Sequence, residues 1–287
     1  MRSRIVLLIV AAMLGGTLGH GSSFPNAVPF KLVRGFGIVV RGEIGPESNL
    51  NFLLDTGAVP SVLSKRLAAR IGVTGAKGAF ALLDRTSTAE YVTADEVRFG
   101  WVHARSLPMV VIDLDSLSNV LGTRIDAIVG LDILDRQTFS IDYKHRRITS
   151  GLSGNAHHLI PAEIYVREGA PYWVVPVILG GQTLRVLLDT GANDLAVFAG
   201  RTGSSVPDTA NSSTKPAKVT GEIETRALQP SLMVMGDASF PKQAVVEMAN
   251  PRGTALPEID GVLGPTAVGI TRVEFDWEHM CLRWDTE

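Results

Sequence analysis

The sequence predicts an all-β protein built as two similar barrel-like lobes with few short helices. Three observations point there. The chain repeats itself in register, short strand-like runs recur between turn residues, and long amphipathic helices are scarce.

The repeat is the strongest of the three. Leu53-Leu54-Asp55-Thr56-Gly57-Ala58 recurs as Leu187-Leu188-Asp189-Thr190-Gly191-Ala192, an offset of 189 − 55 = 134. The same offset links Gly130 to Gly264, Asp126 to Asp260, Asp142 to Asp276, Val40 to Val174, Ile44 to Ile178, Leu50 to Leu184 and Phe52 to Val186. Midway the register slips, since Phe99-Gly100 best matches Met235-Gly236 at an offset of 136; a small insertion, later cancelled, accounts for it. Two copies favour a two-lobed protein over a solenoid, which needs at least about three.

Along the chain, residues 1–21 read as a secretory signal. Arg2 and Arg4 precede an apolar run over 5–14 and a small-residue tail, with cleavage expected near Gly19 to Gly21. The run is too short to cross a bilayer, which takes about 20 residues. An uncleaved anchor is the alternative, and no cysteine there supports a lipid anchor. Residues 22–150 form the first lobe and 151–287 the second. Strand signals fall at 37–41, 51–54, 96–99, 109–112, 139–141 and 147–149. In the second copy they fall at 173–179, 183–188, 231–235, 244–248 and 273–275. Ser64 can cap a helix over 64–71 that Gly72 ends, and a second short helix follows Gly130 over 131–134. The small, polar stretch 150–155 suits the link between lobes, and 203–218, rich in Ser, Thr, Asn and Pro, reads as an exposed loop.

Composition excludes little. A chain of 287 residues, 45% hydrophobic and 20% charged, is an ordinary globular protein, and a net charge of −2 gives no reason to expect nucleic acid as a partner. Cys281 is the only cysteine, so no intramolecular disulfide can form; within Met280-Cys281-Leu282 it reads as a buried filler of the closing strand.

The chemistry lies in the repeated acid. Hydrolysing a peptide bond without a covalent intermediate requires a water made nucleophilic and a carbonyl made electrophilic together, and two carboxyls sharing one proton can do both. Asp55 and Asp189 each end an apolar run suited to a buried strand. Gly57 and Gly191 allow two loops to pack backbone to backbone, and Thr56 and Thr190 offer hydroxyls that can bond across to the opposite loop. Other residues read as structural. Asp126 and Asp260 suit turn or loop-capping carboxylates, Asp142 and Asp276 end strands, and Gly35-x-Gly37 is a turn. Adjacent His157 and His158 belong to an exposed linker, and no cluster of Cys, His and Glu completes a metal site. No Gly-x-Ser-x-Gly elbow for a serine hydrolase is present.

With these motifs the chain resembles the retropepsin-like and pepsin-like aspartic endopeptidases over nearly everything after the signal segment. Ala58 and Ala192 after Asp-Thr-Gly look like the retroviral and bacterial branch, while two motifs in one chain look like pepsins; short lobes without cysteine pairs depart from pepsins. The resemblance implies two closed β-barrel lobes about a pseudo-twofold axis, with a cleft between them. It implies Asp55 and Asp189 as catalytic dyad, Ala58 and Ala192 on the cleft floor, and Gly130 and Gly264 packed beneath the aspartate loops. It also implies flap hairpins within 78–97 and 218–232, though neither has a glycine-rich tip. Tyr91 could face substrate from the first, but suits a strand residue packed on its own sheet. The protein is then expected to be an exported, monomeric endopeptidase acting on proteins or peptides, with neither cofactor nor metal and with membrane contact only if the signal is uncleaved. A non-catalytic binding or regulatory protein that keeps the fold is the alternative. A two-carboxylate glycosidase fits poorly with Thr-Gly after both acids.

Overall fold

The computed structural model describes residues 26–81, 86–134, 136–154, 156–167, 170–202, 208–217, 221–248 and 258–286. The expected signal segment and its cleavage site lie outside the described residues. In the first half the elements are β1 (Ala27–Val33), β2 (Gly37–Ile44), β3 (Glu47–Leu54), β4 (Ser61–Ser64), α1 (Lys65–Ile71), β5 (Ala76–Ala81), β6 (Thr86–Phe99), β7 (Val102–Ile112), α2 (Asp115–Leu121), β8 (Ala127–Val129), α3 (Leu131–Leu134), β9 (Phe139–Asp142) and β10 (Arg147–Ser150). The second half has β11 (His158–Pro161), β12 (Glu163–Arg167), β13 (Ala170–Leu179), β14 (Gln182–Leu188), β15 (Leu195–Phe198), β16 (Asp208–Ala217), β17 (Gly221–Met235), β18 (Ala238–Met248), β19 (Gly261–Leu263), a 3-10 turn at Pro265–Val268, β20 (Ile270–Asp276) and β21 (Cys281–Thr286).

The halves share one strand order. It is β2-β3-β8-β4-β7-β6-β5 in the first and β13-β14-β19-β15-β18-β17-β16 in the second. Pairing of β2 with β6, and of β13 with β17, closes six strands into a barrel in each half. Side chains alternate between core and solvent at the period of a strand, as in β14, where Leu184 and Val186 are buried and Arg185 between them is half-buried. Closure removes most of the unpaired edges that an open sheet of this size would expose.

A six-stranded sheet, β11-β21-β20-β9-β10-β1, joins the halves. Its centre is the antiparallel pair β9 and β20, where Ser140 stands opposite Glu274, its own counterpart at 274 − 140 = 134. The pseudo-twofold axis passes there. Beside it the Phe139 and Phe275 rings stack with centroids 4.5 Å apart. Trp173 lies edge-on to Phe275, so the apolar core runs continuously between the halves.

The expected strands all fall within observed ones, and both expected helices are present. Ser64 Oγ accepts from Leu67 N, and Gly72 ends α1 at φ 71°, a left-handed conformation that glycine adopts freely. Two expectations are corrected. Residues 208–217 of the expected loop form β16, the edge strand of the second sheet, paired to β17; an edge strand is where a proline such as Pro216 is tolerated. His158 is not linker but the first residue of β11, stacked on Trp284 at 5.4 Å. The segment between the halves is fastened to the joining sheet. Ser153 bonds the buried Glu274 carboxylate, and His157 bonds Asp285 at 2.7 Å. Helix α2 and the 3-10 turn were not anticipated; α2 is seven residues, under about two turns, and has no side-chain N-cap such as Ser64 gives α1.

Candidate active site

Asp55 and Asp189 follow immediately on β3 and β14, the two strands whose apolar runs are buried to the last residue. Parallel neighbours β8 and β19 hold each loop from below, with Asp55 N donating to Val129 O at 3.0 Å and Asp189 N to Leu263 O at 2.9 Å. The chain then turns sharply, and Ala58 N and Ala192 N donate back to Asp55 O and Asp189 O.

The structure brings the two aspartates together. Each carboxyl lies against the glycine of the opposite loop, Asp189 beside Gly57 and Asp55 beside Gly191. Each Oδ1 also accepts from the glycine of its own loop, Gly57 N to Asp55 at 2.9 Å and Gly191 N to Asp189 at 2.7 Å. Neither glycine could carry a side chain. A Cβ on Gly57 would sit 2.6 Å from Asp189 Cγ, and one on Gly191 would sit 2.5 Å from Asp55 Oδ2. The threonines lock the loops from behind. Thr56 Oγ1 donates to Leu188 O at 2.9 Å and accepts from Thr190 N at 3.0 Å, while Thr190 Oγ1 donates to Leu54 O at 3.0 Å and accepts from Thr56 N at 3.1 Å. Both threonines are buried, whereas the aspartates keep partial exposure.

Two acids so close cannot both ionise cheaply. Burial first, then the charge of Asp189 and the hydrogen bond to it, hold the Asp55 carboxyl well above the usual carboxylate range; the Gly57 and Ala58 N–H groups pull back only in part. Burial also raises Asp189, against the lowering effect of its bonds from Asp55, Gly191, Gly57 and Ala192. The pair is therefore built to keep one proton.

Gly130 and Gly264 lie directly under the two loops. A Cβ there would fall 1.8 Å from Ala58 O and 2.3 Å from Ala192 O respectively. Ala58 and Ala192 are half-buried at the margins of two apolar clusters. With Ala58 stand Phe80, Tyr91 and Ile112; with Ala192 stand Tyr165, Ala196 and Val59, the last reaching across from the first loop.

The remaining candidates fall outside this centre. Asp126 Oδ2 accepts from Asn51 N at 3.0 Å and Asp260 Oδ2 from Arg185 N at 2.8 Å, so both tie their barrels together. Asp142 and Asp276 each accept from the backbone and ring of a histidine three residues on. The Tyr91 hydroxyl donates to Ala79 O at 2.7 Å, which keeps it on its own hairpin. Hairpins β5–β6 and β16–β17 occupy the two flap positions; their tips, 82–85 and 218–220, lie outside the described residues. Among the described residues, no group of three or more His, Cys, Asp or Glu is placed to hold a metal ion, and no helix is long and apolar enough to cross a membrane.

Sequence reading missed Ser61 and Asp132, which meet beneath the first loop. The available signal was an asymmetry: 134 residues on stand Leu195 and Thr266, which cannot repeat that pairing.

Comparison with known proteins agrees with this geometry. Residues 40–133, which include Asp55 and Gly130, match the aspartyl protease family. None of the curated proteins matches the sequence. Among solved structures, an aspartic proteinase from Irpex lacteus is similar with a TM-score of 0.52 at 12% identity, over 91% of this chain and 96% of that one. At that identity the likeness speaks for the fold, and together with the family match it supports a general aspartic protease function. The chain thus has the fold of the aspartic proteinases, and its residues 40–133 match the aspartyl protease family.

Proposed function

We propose that this protein is an endopeptidase that hydrolyses peptide bonds with a water activated between Asp55 and Asp189. The observation that carries this reading is that two carboxyls, one from each half of the chain, are brought together, each lying against the glycine of the opposite loop. With one proton between them, the ionised carboxylate takes a proton from water as its oxygen attacks the carbonyl carbon. The protonated carboxyl gives its proton to the carbonyl oxygen, and a gem-diol forms. Collapse breaks the C–N bond: the protonated carboxyl gives its proton to the leaving nitrogen, the ionised carboxylate takes a proton from a diol hydroxyl, and the pair is left with one proton again. Thr56, Thr190, Gly57 and Gly191 fix the geometry, so little reorganisation accompanies the reaction.

Both carboxyls come from one chain, which supports action as a monomer. The basic-then-apolar segment over 1–21 supports export, and N-terminal sequencing of the mature protein tests it. The test of activity is mass-spectrometric mapping of cleavage in a peptide library. Cleavage that is blocked by a statine-type inhibitor and indifferent to chelators is expected. An intact library, with the inhibitor still bound, would instead support a binding protein that keeps the fold.

A further inference from the structure

The two aspartate loops are related by symmetry, yet they are held from beneath in different ways. In the second half, Gly264 N donates to the backbone carbonyl of Asp194 at 3.0 Å. In the first half, Gly130 N donates at 3.0 Å to a side chain, the hydroxyl of Ser61. That hydroxyl donates to Asp132 Oδ1 at 2.6 Å, and Ser61 N donates to Asp132 Oδ2, also at 2.6 Å. Both Asp132 oxygens are thus spent on one residue, and Ser61 itself is fully buried.

From this we infer that Asp132 is a positioning residue for the first catalytic loop, acting through Ser61 and Gly130 on Asp55; the inference rests on the endopeptidase reading above. The path is short and each step is a contact. A carboxylate accepting from both Ser61 N and Oγ leaves the serine lone pairs facing Gly130 N–H. Gly130 is packed against Ala58 O so closely that no Cβ fits between them. Ala58 N returns to Asp55 O at 3.1 Å, and Asp55 N is held by Val129 O, next to Gly130. A shift of Gly130 therefore moves the loop at two points, one on each side of the catalytic carboxylate.

Replacing Asp132 by Asn puts an NH2 group where one of two donors must be accepted, so one bond becomes a clash of donors. Nothing of the kind can happen at Thr266 in the other half, where no acid is present. The effect should appear in turnover and not in substrate binding, because Asp132 touches neither the substrate nor the cleft walls.

The test compares wild type with Asp132→Asn, Ser61→Ala, Ser61→Thr, the double variant Asp132→Asn/Ser61→Ala, and Thr266→Val as control. Active sites are counted by titration with a tight statine-type inhibitor, so a merely unstable variant loses sites but keeps its rate per site. Asp132→Asn and Ser61→Ala are each expected to lower kcat per site about tenfold or more, with KM within about twofold. The double variant should be no worse than the poorer single one, Ser61→Thr should recover most of the rate, and Thr266→Val should match wild type. Amide hydrogen exchange at Gly130 provides a readout that needs no activity; it should quicken about tenfold or more in Asp132→Asn and Ser61→Ala only. Should Asp132→Asn fail to fold, Ser61→Ala carries the test alone, since it keeps the acid. Wild-type kcat per site in both single variants overturns the inference, as does unchanged Gly130 exchange. A wild type that cleaves nothing refutes the endopeptidase reading instead, and exchange at Gly130 then decides the relay by itself.

Discussion

Thr56 and Thr190 each reach into the opposite loop, giving a hydrogen bond to the carbonyl that precedes the opposing aspartate and taking one from the opposing threonine N–H. The four bonds form a closed set inside the protein, away from solvent. They explain how two loops from separate barrels can present their carboxyls at a fixed separation without a disulfide between the halves.

Thr56→Val removes two of the four while keeping the shape of the side chain. Leu188 O and Thr190 N are then buried without partners, at a cost of roughly 2–5 kcal/mol in unfolding free energy. Urea denaturation measures it. Thr56→Ser, which keeps the hydroxyl, should lose less than about 1.5 kcal/mol; equal losses in both variants would contradict the account.

Gly57→Ala should separate stability from activity. The new methyl collides with the Asp189 carboxyl at the cleft floor and not with the packed core. We expect at least about a hundredfold fall in kcat, as for an ångström-scale misplacement, with a melting temperature close to that of wild type. Near-normal turnover would show that the glycine does not guard the contact between the acids.

The two classes of buried acid predict opposite pH dependences of stability. Asp55 has its folded-state pKa raised, so its contribution is present below the unfolded value near 3.8 and is lost as pH rises through the folded value. Asp55→Asn should therefore be more stable than wild type at neutral pH. Asp276 behaves in reverse. Burial would raise its pKa, but bonds from His279 and Arg283 outweigh burial and hold it below the usual range. It stabilises above the unfolded value near 3.8 and ceases to do so as pH falls through the folded one, so Asp276→Asn should destabilise at pH 6 and matter little below about pH 3. Thermal melts of both variants across pH check the signs.

Much of this was legible in the sequence because the duplication exposes its own symmetry. Repeated Leu-Leu-Asp-Thr-Gly-Ala marks both strands that deliver the acids, and Gly130 and Gly264 mark what lies under them. What stayed hidden depends on three-dimensional pairing. β16 looked like a loop because its strand character comes from its partner β17, not from Ser, Thr and Pro. Val59 gave no sign that it would pack on the opposite half, and Glu274, an acid in a central strand, is understandable only once it is seen opposite Ser140 and under Ser153.

Phe139 and Phe275 make the interlobe sheet a testable joint. Phe139→Ala should cost about 3–5 kcal/mol and leave both barrels closed, since the stack lies outside either barrel. Denaturant unfolding that follows each half by its own fluorescence would show whether the halves then melt apart. A loss below about 1 kcal/mol would mean that the joint is held elsewhere.

The account stands most directly on kcat/KM against pH for wild type, Asp55→Asn, Asp189→Asn and the double variant. Two carboxyls working as one acid–base unit predict a bell for wild type whose alkaline limb lies above the ordinary carboxylate value of about 4. Each single variant should fall by about a thousandfold or more, and the double variant should be no worse than either. A single variant that keeps a tenth of the wild-type rate, or losses that multiply in the double variant, would contradict it.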